Sequence, residues 1–169
     1  MIENLISPPS LMIRSTNKIN RKVHGYLNEF IDCENPFLDW HIHLFTANRV
    51  QYLIYTNTNS LLSFISYGKG ITDDSALIKD VLYTIREGLT KLSLDFFYNR
   101  HISKATGSAI FTKTNSRSVL GSINDFVKIA RWLIENRDHN PFSVSKELNQ
   151  MPMKAIGHAS PLSAFENMQ

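Results

Sequence analysis

At 169 residues, with 43% hydrophobic and 20% charged side chains, the chain has the length and apolar content of one domain with a real core, which excludes a wholly disordered chain. Its formal charge of +3 permits phosphate contacts with nucleic acid without demanding them. The single cysteine, Cys33, excludes an intrachain disulfide and suits a reducing, cytoplasmic compartment. Cys33 lies between Asp32 and Glu34, whose charges disfavour a thiolate, so it reads as an ordinary thiol rather than a nucleophile.

No run approaches the roughly 18–20 apolar residues of a membrane-spanning helix, so no membrane partner is expected. Residues 1–10 lack the basic flank and apolar stretch of a signal peptide, and with Pro8-Pro9 they read as a disordered lead-in. Leu11 to Ser15 suits an opening strand. Thr16 or Asn17 then caps a helix over 17–30, with Ile19, Val23, Tyr26, Leu27 and Phe30 at helical period. Pro36 breaks the pattern.

Trp40–Thr46, Val50–Thr56 and Ser60–Ser66 are three strand-like runs, rich in β-branched and aromatic residues and separated by short Asn-containing turns. That pattern predicts an antiparallel meander. A helix over 74–92 follows, capped by Asp73 to Ser75, with Leu77, Val81, Leu82, Ile85 and Leu89 in its apolar stripe. Phe96 to Tyr98 and Ser108 to Thr112 read as strands flanking a polar stretch. A long helix over 117–136 carries Ile123, Phe126, Val127 and Ala130 on one face. Two short helices close the chain, one near Ser143 to Asn149 and one capped by Ser160 with Pro161 at its first position.

The expected fold is α+β: an antiparallel sheet of about five strands including the three-stranded meander, with helices packed on one face. Residues 11–140 form a single domain, and 141–169 a helical C-terminal tail packed on it. Trp40, Ile42, Ile54, Leu82, Ile85, Ile123, Val127 and Ala130 are expected to be buried.

Several phrases carry a resemblance: Arg14-Ser-Thr16 with Lys18, Trp40-His-Ile-His-Leu44, Tyr55-Thr-Asn57, the stretch Asn115 to Asp125, and Leu148 to Gly157 followed by Ser160-Pro161. In this order they resemble an uncharacterised bacterial domain-of-unknown-function family. The resemblance implies a small standalone α+β protein of the bacterial cytoplasm, in some cases near plasmid or mobile-element genes. It brings no activity and no catalytic residue. The tail is also similar to the closing segment of some DDE-type transposases, but those enzymes hold two metals with three carboxylates, and here the acidic residues gather at helix starts and in loops.

His41 and His43 alternate on one strand and so share a face, the minimum for a general acid–base pair near neutral pH. A solvated strand face accounts for them equally well. Arg100, His101 and Lys104, with Thr106 and Ser108, suit an anion pocket or a plain loop. Ser116 and Arg117 open the long helix, where a positive charge meets the positive end of the dipole. Arg117 is therefore expected to pair with Asp95 or Asp125, or to face a pocket shared with Arg100 or Lys104. Asn124 and Asp125 sit mid-helix and suit a structural network. No cofactor motif and no metal site is marked.

Two functions fit. One is a non-catalytic binding or regulatory module that contacts nucleic acid or a protein partner. The alternative is a small metal-independent ribonuclease, which requires His41, His43, Arg100, His101, Lys104 and Arg117 to meet in one basic cleft. The sequence leans to the first.

Overall fold

Period-two alternation in β2 (Asp39–Ala47) sends Trp40, Ile42 and Leu44 to one side of the sheet and Phe45 and Ala47 to the other, and both sets are buried. The computed structural model describes residues 9–105, 108–114 and 116–169. β3 (Val50–Asn57) and β4 (Ser63–Tyr67) continue from β2 as the expected antiparallel meander. Asn48 and Arg49 turn the first hairpin with φ of 48° and 64°, the two positive angles that match a tight turn to strand twist.

β1 (Leu11–Arg14) lies parallel to β2, and β5 (Ala109–Thr112) lies parallel to β1, giving the order β4-β3-β2-β1-β5. The sheet is thus mixed rather than wholly antiparallel. Both parallel strands reach their neighbours through long crossovers, which sequence alternation does not encode.

Helices cover both faces, not one. From α2 (Asp74–Lys91), Leu77, Val81, Ile85 and Leu89 join Trp40, Tyr55 and Phe64 in a first core. From α4 (Arg117–Arg137), Ile123, Phe126, Val127 and Ala130 join Ile54, Ile65 and Phe45 in a second. The residues expected in the core are buried except Leu82, which is half-buried one position past Val81 at the margin of its stripe. α5 (Pro141–Asn149) adds Val144 and Leu148 to the second core, and α6 (Pro161–Glu166) places Phe165 in the first.

α5 also closes the edge of β4. The Asn149 amide accepts from the Ser63 N–H and donates to its carbonyl, both at 2.8 Å, and Ser145 Oγ accepts from the Ile65 N–H at 2.9 Å. These side chains replace a neighbouring strand and remove an aggregation-prone edge.

Two further expectations change. The first helix, α1 (Asn17–Val23), stops where His24 takes φ 54° and Gly25 follows, so Tyr26 and Phe30 are exposed rather than core. Residues 28–31 run beside β5 instead, with the Asn28 N–H donating to Phe111 O at 2.9 Å. Phe96 to Tyr98 is helical, not a strand. The single turn α3 (Asp95–Phe97) runs into a π-helical turn (Tyr98–Ile102) and a 3₁₀ turn (Ser103–Ala105), which bury Tyr98, Ile102 and Ala105 at helical spacing. Thr106, Gly107 and Asn115, and the lead-in expected over 1–10 as far as residue 8, lie outside the described residues. Among the described residues no helix is long and apolar enough to cross a membrane.

Candidate functional site

Strand register places five polar side chains in one row across the whole sheet. Thr112 (β5), Arg14 (β1), His41 (β2), Thr56 (β3) and Ser63 (β4) are consecutive cross-strand partners on the face that carries the second core, and each is buried. Such a row is tolerable only if every group is paired. Among the described residues no buried side-chain nitrogen or oxygen lacks a partner.

The row is organised around Arg14. Its guanidinium donates to both carboxylate oxygens of Asp39, Nε to Oδ1 at 3.0 Å and Nη2 to Oδ2 at 2.8 Å. Nη1 donates to Ile31 O at 2.6 Å, and the ring of Phe30 lies 4.7 Å below the guanidinium carbon. Thr112 Oγ1 donates to Glu29 O and accepts from the Ile31 N–H, so residues 28–31 seal this end of the row. Thr56 and Ser63 pair through their hydroxyls at 2.8 Å.

A directed chain of hydrogen bonds passes through His41. Thr58 donates its only hydroxyl proton to Asp39 Oδ1 at 2.7 Å, so at 3.0 Å it accepts from His41 Nδ1. His41 Nε2 then accepts from Thr114 Oγ1 at 2.7 Å, and Thr114 accepts from the Ser116 N–H at 3.1 Å. Burial lowers the His41 pKa to about 4 against the opposing charge of Asp39, with Arg14 adding a smaller lowering. A neutral, enclosed imidazole with both nitrogens engaged is a structural link between Asp39 and the start of α4.

The other sequence candidates do not gather around it. His43 shares the face of His41, is half-buried, and has its pKa lowered by burial and by Lys18. His101 stands on the other side of the sheet, its ring stacked on Phe37 at 3.9 Å between centroids, and burial and Arg100 lower its pKa. Arg100 and Lys104 are exposed on that same side segment, Arg100 over the Phe96 ring. The cleft required for a ribonuclease is therefore not assembled. Cys33 donates to Asn35 O at 3.3 Å, and burial together with Asp39 raises its pKa, which disfavours the thiolate.

Among the described residues, two open hollows stand out. The first flanks the start of α4, about 550 Å³ in volume, lined by Arg117, Ser118, Gly121, Ser122, Asp125 and residues 153–155. Ser116 caps α4 by accepting from the Val119 N–H at 3.2 Å. Arg117 is exposed and, among the described residues, forms no ion pair. Asp125 engages Lys128 instead, at 3.4 Å. The pocket Arg117 faces is shared with Lys154, not with Arg100 or Lys104. Asn124 is exposed and plays no part in a buried network.

The second hollow, about 540 Å³, lies between α2, β4 and α5 and contains Asp80, Tyr83 and Glu87. Sequence reasoning missed it, although Asp80, Tyr83, Thr84, Glu87 and Lys91 recur at helical period on the polar side of α2. Among the described residues no group of three or more His, Cys, Asp or Glu is placed to hold a metal ion.

The chain is thus a mixed α+β sheet covered by helices on both faces, with a buried polar row and solvent-open hollows beside α4 and α2. The chain belongs to the family described as Domain of unknown function (DUF6933), whose model matches residues 12–164. No curated protein matches it.

Proposed function

We propose that the protein is a non-catalytic binding module that holds an anionic partner, the phosphate backbone of nucleic acid, in the hollow at the start of α4. One observation carries this reading. Arg117 and Lys154, from segments far apart in sequence, converge on one open depression beside the amide-rich end of a 21-residue helix. The helix dipole and its terminal N–H groups favour an anion there, and the hydroxyls of Ser118 and Ser122 lie on the same lining. An arginine against the positive end of a dipole is disfavoured when unpaired and favoured when a phosphate sits alongside.

The formal charge of +3 is compatible with this partner. The setting that fits is a bacterial cytoplasm, in keeping with one unreactive cysteine, and a mobile-element context agrees with a nucleic-acid partner. The test is fluorescence anisotropy of labelled single-stranded RNA and duplex DNA, in EDTA and over a salt series. Binding that weakens with salt and leaves the RNA intact supports the module. Cleavage in EDTA, or no binding at low salt, overturns it.

A further inference from the structure

The α2–β4–α5 hollow has chemistry opposite to that of the α4 hollow. Asp80 and Glu87 are seven residues apart on α2, which places them on one face two turns and about 10 Å apart. Tyr83 and Thr84 fill the turn between them, and Phe64, Tyr67 and Phe142 supply aromatic wall from β4 and α5.

Asp80 is held in place from beneath. Its Oδ2 accepts from the buried Tyr55 hydroxyl and from Ser66 Oγ at 2.6 Å, while Oδ1 takes part in no hydrogen bond among the described residues. Burial and the neighbouring carboxylate raise the Tyr55 pKa well above its ordinary value, so the proton stays on Tyr55 and is donated to Asp80. Neither Asp80 nor Glu87 forms an ion pair among the described residues. The cleft already seats one ammonium on an aromatic ring: Lys91 Nζ lies 4.8 Å from the centroid of Phe142.

Gly88 opens the space. A Cβ at this position would stand 2.3 Å from the Phe64 ring, so the glycine lets that ring lie against α2 as wall of the cleft. The volume is that of a small-molecule site, and the lining joins aromatic surface to two carboxylates, with Lys91 turned to Phe142 rather than ion-paired to either.

We propose that this cleft binds a small aliphatic diamine or polyamine, one ammonium on Asp80, another near Glu87, and the alkyl stem lying along Tyr83 and Phe64. The carboxylates supply charge, and the aromatic faces take both the methylene groups and the edge of the cation. A lysine side chain of a partner protein offers the same ammonium on an alkyl stem. The second carboxylate, placed two helical turns from the first, favours the free dication.

The test is calorimetric titration with putrescine and with spermidine, beside 1,4-butanediol and an N-acetyl-lysine amide, with amide shifts followed by NMR. Saturable binding of the amines, shifts confined to α2, β4 and the start of α5, and no binding of the diol are expected. Glu87→Gln and Asp80→Asn should each weaken binding at least tenfold. Glu87 forms no ion pair among the described residues, and glutamine keeps its size, so the first variant keeps the test valid if the second is unstable. Shifts spread over all acidic surface, affinity indifferent to both variants, or tighter binding of the lysine amide than of the diamines would overturn the proposal. The Arg117 hollow is untouched by these variants, so failure here leaves the nucleic-acid reading to its own test.

Discussion

Arg14 and Asp39 meet through two nearly parallel hydrogen bonds, and their side chains are only 3% and 8% exposed. A buried pair of this kind offsets its own desolvation without much surplus, but removing one partner strands the other charge. Arg14→Met or Asp39→Asn should therefore each cost about 3–5 kcal/mol in urea denaturation. The double variant Arg14→Met/Asp39→Leu should cost clearly less than the sum. A single-variant cost below about 1 kcal/mol would show that the pair is hydrated in solution.

His41 gives the fold a defined acid sensitivity. Its folded pKa of about 4 lies below the ordinary value of 6.5, so the folded state keeps it neutral while the unfolded chain takes up a proton. Its contribution is fully present above pH 6.5 and declines as pH falls towards 4, by up to about 3 kcal/mol. Stability measured from pH 7 to 4.5 should fall along that limb, and His41→Gln should flatten it. Nitrogen NMR should find the neutral ring protonated on Nδ1. An imidazolium at pH 6 would contradict the hydrogen-bond direction.

Two helical glycines should respond oppositely to the same change. Gly88→Ala puts a methyl against the Phe64 ring, and overpacking of that kind costs about 1–3 kcal/mol despite better helix propensity. Gly121→Ala meets nothing within 4 Å and should gain up to about 1 kcal/mol. Thermal melts of the two variants decide it; a Gly88→Ala protein as stable as the parent would mean that Phe64 swings aside freely.

Asn149 stands in for a sixth strand. Asn149→Ala removes both bonds to Ser63 and should cost about 1–3 kcal/mol. It also opens the β4 edge, so light scattering on warming should rise earlier than the shift in melting temperature alone explains. Equal aggregation onset relative to melting would assign edge protection to the rest of α5.

The meander and the helices α2 and α4 were legible because hydrophobic period reports burial directly: Trp40 and Ile42, or Ile123 and Val127, repeat at the spacing of their element. Parallel pairing of β1 was not, since the neighbour of Leu11–Arg14 is set by packing rather than by local pattern. Tyr26 and Phe30 continued a helical period that His24 and Gly25 end. His41 was visible as a candidate, but its partners Thr58 and Thr114 come together only through register and a distant turn. Arg117 could be singled out from dipole electrostatics, whereas Lys154 beside it could not, because nothing in the sequence brings residues 153–155 to α4.

The α4 hollow is tested most directly by the salt dependence of RNA binding in the native protein and in Arg117→Ala/Lys154→Ala. Two lost phosphate contacts should lower the slope of log K against log salt by about 1.4 for a single strand, with the melting temperature unchanged. An unaltered slope and affinity in the double variant would contradict the assignment of this surface.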